Sequence, residues 1–152
     1  MGKKAIIILG ALLCSGCQTV QPVESTTHLS GSPRMHELVV RKAESNAVPP
    51  SLALAIVQVE SRFNPKAYNQ GNYGLGQIRC GTAKGLGQKG PCLTLFDPEV
   101  NMDYSMKYLN IALEKSNGDW CHAATLYNRG VGAKPKNSSY CTKVMKLVKD
   151  PK

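Results

Sequence analysis

The sequence predicts one mostly helical α+β domain, and three observations lead there. Apolar residues recur at helical spacing between capping residues in five segments, near 33–43, 51–60, 98–113, 120–127 and 139–148. One stretch breaks the pattern: residues 66–77 are rich in Gly, Asn and Tyr, which reads as turns with a short hairpin. The third observation is scale. A chain of 152 residues without an internal repeat suffices for a single core.

Residues 1–17 read as an export signal: Lys3 and Lys4, then apolar residues from Ala5 to Leu13, then Ser15, Gly16 and Cys17. Nine apolar residues fall short of the ~20 that a membrane-spanning helix needs. The run Leu13-Cys14-Ser15-Gly16-Cys17 resembles a bacterial lipobox with Cys14 in the usual place of Leu. Two outcomes stand side by side: lipidation of Cys17 with anchoring to a membrane, or cleavage and release. Residues 18–33, rich in Gln, Ser, Thr and Pro, suit a flexible tether. The folded domain is then 34–152, exported and either periplasmic or anchored at the outer membrane.

Ser32 and Pro33 open the first helix, with Met35, Leu38, Val39 and Ala43 on its apolar side. Residues 46–50 interrupt it. The next helix, Ser51 to Glu60, is apolar on nearly every face and is therefore expected to be buried; Asn64-Pro65 ends it. Thr82 to Leu86 suits a short helical turn. Asp97-Pro98-Glu99 starts a long helix with Val100, Tyr104, Tyr108 and Ile111 on one stripe, widened by Met102, Met106, Leu109 and Leu113. Gly118 stops it, and Asp119 caps a helix from Trp120 to Tyr127 that Asn128-Arg129-Gly130 breaks. The last helix, about Ser139 to Val148, turns Tyr140, Val144, Leu147 and Val148 inward.

Once the leader is removed, Cys80, Cys92, Cys121 and Cys141 remain, an even count that points to disulfides in an exported protein. Four cysteines permit three pairings; the favoured one joins Cys80 to Cys92 across a Gly- and Lys-rich loop and Cys121 to Cys141 between two helices. A zinc site using His122 lacks the close Cys-x-x-Cys spacing of structural zinc. No metal or cofactor is implied. The net charge is +9, or +7 without Lys3 and Lys4. That balance favours anionic polymers such as nucleic acid, lipid headgroups or bacterial wall. Nucleic acid calls for a dense basic run with stacking aromatics, whereas the cations here are scattered. The tightest cluster, Lys134, Lys136, Lys143, Lys146 and Lys149, suits the solvated face of the last helix. Nucleic acid is not an expected partner.

Glu60 is the candidate for chemistry, set against the plainer reading of a solvated Glu in a last helical turn. It closes the all-apolar helix, and the thirty-six residues from Ser61 to Phe96 contain no Asp or Glu. Burial and the negative pole of the helix macrodipole both disfavour its ionised form, which suits a proton donor near neutral pH. Glycoside hydrolysis ordinarily needs two carboxylates. The irregular stretch after Glu60 offers none, although Asp97, Glu99, Asp103 or Asp119 could be brought close by folding. Asp97 and Asp119 are expected as helix caps and Glu99 as a first-turn charge.

Three segments share a pattern with a known family: Ala55-Ile-Val-Gln-Val-Glu60-Ser61-Arg-Phe63-Asn64-Pro65-Lys-Ala67; Gly74-Leu75-Gly76-Gln77-Ile78 continuing to Thr82-Ala83; and Leu126-Tyr127-Asn128-Arg129-Gly130. With Leu95-Phe96-Asp97-Pro98-Glu99-Val100-Asn101 between them, the chain resembles the SLT-type lytic transglycosylases, of goose-lysozyme-like fold, over about residues 52–132. The resemblance implies cleavage of the β-1,4 bond between N-acetylmuramic acid and N-acetylglucosamine in peptidoglycan. In that scheme Glu60 is acid and then base, and the muramoyl C6 hydroxyl closes a 1,6-anhydro end.

It further implies that Ser61 hydrogen-bonds within the site, that Gln77 lines the saccharide groove, and that Tyr127 holds Glu60 or the sugar through its hydroxyl. Asn128 would support the same wall; Tyr73 either stacks on a sugar face or packs within its Gly-rich turn. A monomer acting on glycan strands is expected. The alternatives are a hydrolytic muramidase of the same fold and a non-catalytic wall-binding or assembly module. Three departures bear on substrate preference: Gly76 in the usual place of Met, expected to widen the groove; Arg79-Cys80-Gly81 in place of a segment ending in Pro; and Arg129 in place of a small residue.

Overall fold

In the computed structural model, residues 29–134 and 138–148 are described. The export signal, Cys17 and the tether up to residue 28 lie outside the described residues, as do Lys136 and Lys149.

Helix α1, Pro33–Glu44, starts where the sequence places it: the Ser32 hydroxyl accepts from the Met35 N–H, and Pro33 occupies the first turn. Ahead of it, Ser30 N–H donates to Gln58 Oε1 at 2.7 Å, so the end of the segment read as tether lies against the domain. Helix α2, Pro50–Ser61, has six consecutive buried residues from Leu52 to Val57, as its uniform apolarity requires. It ends at Arg62 in the left-handed region, followed by buried Phe63, also at positive φ. That double bend turns the chain sharply away just past Glu60.

The stretch after α2 holds a three-stranded antiparallel sheet of two-residue strands: β1 Tyr68–Asn69, β2 Asn72–Tyr73 and β3 Ile78–Arg79. Tyr68 pairs with Tyr73, and Asn72 pairs with Arg79. The expected hairpin is present, and the third strand extends it. Helix α3, Cys80–Gly85, begins directly after β3, two residues earlier than the sequence suggests. A 3₁₀ helix, Cys92–Phe96, leads into α4.

Helix α4, Pro98–Lys115, is capped by Asp97, whose Oδ1 accepts from the Val100 N–H at 3.1 Å. It packs against α1 and α5. Its buried face is Asn101, Met102, Ser105, Met106, Leu109, Ala112 and Leu113. The stripe through Val100, Tyr104, Tyr108 and Ile111 is only half-buried, so the supposedly widening residues form the true core face. Helix α5, Trp120–Arg129, is capped by Asp119 through the His122 N–H. It runs through Asn128 and Arg129 before Gly130 closes it. The sequence breaks it two residues early, because neither Asn nor Arg is a strong breaker inside an established helix. Helix α6, Ser139–Met145, stops short of Val148.

Both disulfides form as favoured: Cys80 with Cys92 ties α3 to the 3₁₀ helix, and Cys121 with Cys141 ties α5 to α6. Helix α6 also packs on α2. Seven residues make too little helix to stand alone. Its position therefore depends on that bridge and on buried Val144.

One buried polar residue joins the sheet to the helices. Asn101, fully buried on α4, accepts from the Gly76 N–H at 2.8 Å through Oδ1 and donates to the Tyr73 and Leu95 carbonyls, each at 2.7 Å, through Nδ2. Ser105 Oγ completes the set by donating to the same Oδ1. Four partners satisfy the amide, so it fixes the 73–76 turn on α4.

Gly76 explains itself at this junction. A Cβ there would lie 2.2 Å from Ser105 Oγ and 2.9 Å from the Tyr127 hydroxyl. The sequence reading that Gly76 widens the groove is corrected: this position faces the α4–α5 packing, and Gly permits the close approach.

Candidate active site

The end of α2, the sheet with α3, the body of α4 and the end of α5 line a cleft of about 370 Å³. Its lining comprises Glu60 from α2, Asn72 and Gln77 to Arg79 from the sheet region, and Thr82 from α3. Tyr108 of α4 and Tyr127 to Gly130 at the α5 terminus complete it. Glu60 is the only carboxylate among them. The other four acids that the sequence left open are engaged elsewhere. Asp97 and Asp119 cap helices. Glu99 pairs with Arg41 at 2.6 Å and Lys42 at 3.1 Å, and Asp103 also bonds Lys42, joining α1 to α4. Among the described residues, no second acid reaches the cleft.

Glu60 is half-buried at the carboxy-terminal end of a helix buried all round. Burial pushes its carboxyl above the usual carboxylate range, and this outweighs a hydrogen bond from Tyr140 that favours the ionised form. The Tyr140 hydroxyl donates to Glu60 Oε1 at 2.6 Å. Burial, and then the neighbouring Glu60 charge, raise the Tyr140 and Tyr127 hydroxyls well above the ordinary phenol. Burial raises Tyr108 as well. All three phenols are therefore neutral donors at physiological pH.

The residues read from sequence fare differently. Gln77 lines the cleft, and its Nε2 donates to the Ala67 and Gly74 carbonyls at 3.1 and 2.9 Å. The amide braces its own turn and leaves its carbonyl oxygen for a ligand. Asn128 lines the cleft as an exposed side chain. Tyr127 lines it too, but its hydroxyl donates to the Gly76 carbonyl at 2.7 Å. Of the two roles expected for Tyr127, holding Glu60 or the sugar, the bond to Glu60 is made by Tyr140 instead.

Ser61 is not among the cleft residues, and its hydroxyl donates back along the helix to the Val57 carbonyl at 3.3 Å. Tyr73 borders an adjoining depression with Gln70, Arg79 and Thr82, and its ring meets Tyr68 and Phe96 edge-on.

Tyr140 is the residue that sequence reasoning placed correctly in the core and gave no role. One signal was available. Cys141 is its neighbour, and the bridge from Cys141 to α5 carries position 140 toward the helix that bears Tyr127. Asn72, Arg79, Thr82 and Tyr108 also line the cleft without having been assigned to it.

The chain matches the family described as "Transglycosylase SLT domain" over residues 37–146. Among curated relatives, membrane-bound lytic murein transglycosylase C of Pectobacterium atrosepticum is 34% identical over 131 residues, which is 76% of this chain and 36% of that protein. Soluble lytic murein transglycosylase of Escherichia coli is 31% identical over 107 residues, 64% of this chain and 16% of the relative. The lytic transglycosylase Slt of Pseudomonas aeruginosa, solved as an inactive mutant, superposes with a TM-score of 0.60 at 29% identity, covering 63% of this chain and 17% of that one. The chain thus spans about a third or less of the length of these relatives. The likeness supports the mainly helical fold with a small β excursion read from sequence.

Proposed function

Since the chain belongs to the transglycosylase SLT domain family, we propose that it cleaves peptidoglycan between N-acetylmuramic acid and N-acetylglucosamine without consuming water. The observation that carries this reading is Glu60: a lone cleft carboxyl, raised above its ordinary range by burial. An inverting hydrolase needs a second carboxylate at roughly 6.5–9.5 Å to activate water, and a retaining one needs a nucleophile at roughly 5–5.5 Å. Neither has a candidate among the described residues that line the cleft.

The steps follow from one acid. Protonated Glu60 gives its proton to the glycosidic oxygen as the bond from C1 to that oxygen breaks. The resulting carboxylate takes the proton from the C6 hydroxyl of the same muramoyl residue while O6 bonds to C1. Glu60 ends protonated, the strand ends as a 1,6-anhydro sugar, and atoms balance without water. Tyr140 holds Oε1 and steadies the carboxylate formed midway. That leaves Oε2 to face the reacting oxygens. The Gln77 carbonyl oxygen and the Asn128 amide are the polar groups available to the sugars. Ser61 acts through the helix end, and Tyr73 extends the groove. Exposure to the wall places the protein outside the cytoplasm, either tethered through Cys17 or released, in keeping with its two disulfides.

Digestion of purified sacculi tests the reaction class. Mass spectrometry should find new glycan ends lighter, by one water, than those a hydrolase leaves. Ends of the hydrated mass alone would replace this reading with a muramidase, and absence of cleavage with a wall-binding module.

A further inference from the structure

Two guanidinium groups line the same cleft, unpaired among the described residues. Arg79 is on β3, between buried Ile78 and Cys80, which is bridged to Cys92. Its backbone is thus fixed between a core residue and a disulfide while its side chain is exposed at the cleft. Arg129 is the last residue of α5, held where the Gly130 N–H bonds the Leu126 carbonyl at 2.8 Å. Among the described residues, neither guanidinium makes a hydrogen bond or an ion pair. The contrast lies across the molecule, where Arg41 and Lys42 are both neutralised by acids of α4.

A helix C-terminus by itself favours a cation at position 129. It gives no reason for Arg79, which sits in a strand two residues long. Among the described residues, the cleft's one carboxyl, Glu60, takes its hydrogen bond from Tyr140 and pairs with neither arginine. Two cations from separate elements, neither paired with an acid among the described residues, make the cleft electrostatically complementary to an anion.

We propose that Arg79 and Arg129 form a carboxylate-binding pair that selects strands bearing anionic groups on the muramoyl residue. This rests on the glycan-cleaving reading above and specifies its substrate. N-acetylglucosamine is neutral. Negative charge on the strand comes from the muramoyl side: the free carboxylates of the peptide stem, or the lactyl carboxylate bared when a stem is removed. The planar guanidinium fork donates two parallel hydrogen bonds to a carboxylate, which a Lys ammonium does not reproduce.

Binding tests the pair independently of turnover. Full-length Glu60→Gln protein, with and without Arg79→Gln and Arg129→Gln, is co-sedimented with three substrates: intact sacculi, amidase-stripped strands, and sacculi whose carboxylates are converted to amides. Removing both arginines should weaken binding to intact sacculi about tenfold or more and flatten its salt dependence. The amidated sacculi should bind both proteins equally weakly. An arginine-dependent difference on stripped strands assigns the lactyl carboxylate, and a difference confined to intact sacculi assigns the stem. The Arg79→Lys/Arg129→Lys protein should fall between the two, and as it keeps both charges it separates loss of recognition from misfolding. Equal binding to intact sacculi with and without the arginines overturns the proposal, as does an equal loss on amidated sacculi. If the wild-type protein releases no anhydro ends, the reaction assignment fails while these binding results still decide the pair.

Discussion

Glu60→Gln should abolish release of anhydro products from sacculi, with a loss of at least about 10³-fold. General acid or base assistance by one group is ordinarily worth about 10² to 10⁴, and here a single side chain performs both steps. The amide keeps its carbonyl for the Tyr140 hydroxyl, so the fold and the cleft should survive.

Stability gives the same variant a second signature. The folded pKa of Glu60 lies above the unfolded value. The native state therefore binds the proton more tightly, and the stability this contributes is complete below the unfolded pKa and is lost as pH rises through the folded one. At pH 7 the wild-type protein is thus the one penalised by a buried charge. Glu60→Gln should melt at a higher temperature than wild type at pH 7, with the gap closing toward pH 4. Full lysis by the variant would remove Glu60 from the mechanism. A lower melting temperature at pH 7 would show that the carboxylate is stabilised, contrary to the account.

Asn101→Ala should cost the most stability of any single cleft-supporting change, roughly 3–5 kcal/mol. The side chain has no exposure and serves four partners in three segments. Truncation orphans the Gly76 N–H and the Tyr73 and Leu95 carbonyls, and each unsatisfied buried group costs about 1–3 kcal/mol. Because these bonds hold the turn that precedes Gln77, residual activity should fall too. Asp would serve poorly as a replacement, since its second oxygen would face two carbonyls without a proton to offer. Urea denaturation gives the number, and a loss under about 1 kcal/mol would mean that the turn is held by other contacts.

What was legible in the chain follows from the range of the interactions involved. Helix α2 could be read because its burial is uniform and needs no knowledge of what surrounds it. The caps Ser32, Asp97 and Asp119 could be read because a cap bonds within three residues of itself. The cysteine pairing was accessible because the spacing was compatible with two short closures.

The remainder depends on distant parts of the chain. A two-residue strand such as β3 has no periodicity to detect, and it exists because Asn72 and Tyr73 offer it an edge. Tyr140 reaches Glu60 across eighty residues, so its pattern on α6 said only that it turns inward. Asn101 looks like an interruption in an apolar helix until the 73–76 turn arrives to use its amide. Gly76 was misread for the same reason, since Ser105 and Tyr127 decide what fits there. The burial that raises the Glu60 carboxyl was legible because it follows from the apolarity of α2 itself.

The account rests on one carboxyl, biased toward its protonated form by burial, serving as the whole proton machinery of the cleft. Carbon-13 NMR titration of the Glu60 side chain in the wild-type protein measures this directly. The resonance should titrate above the ordinary Glu value, and higher again in Tyr140→Phe, which lacks the hydrogen bond favouring the ionised form. A midpoint at or below the ordinary value would leave Glu60 ionised at working pH, without a proton to give, and would contradict the account.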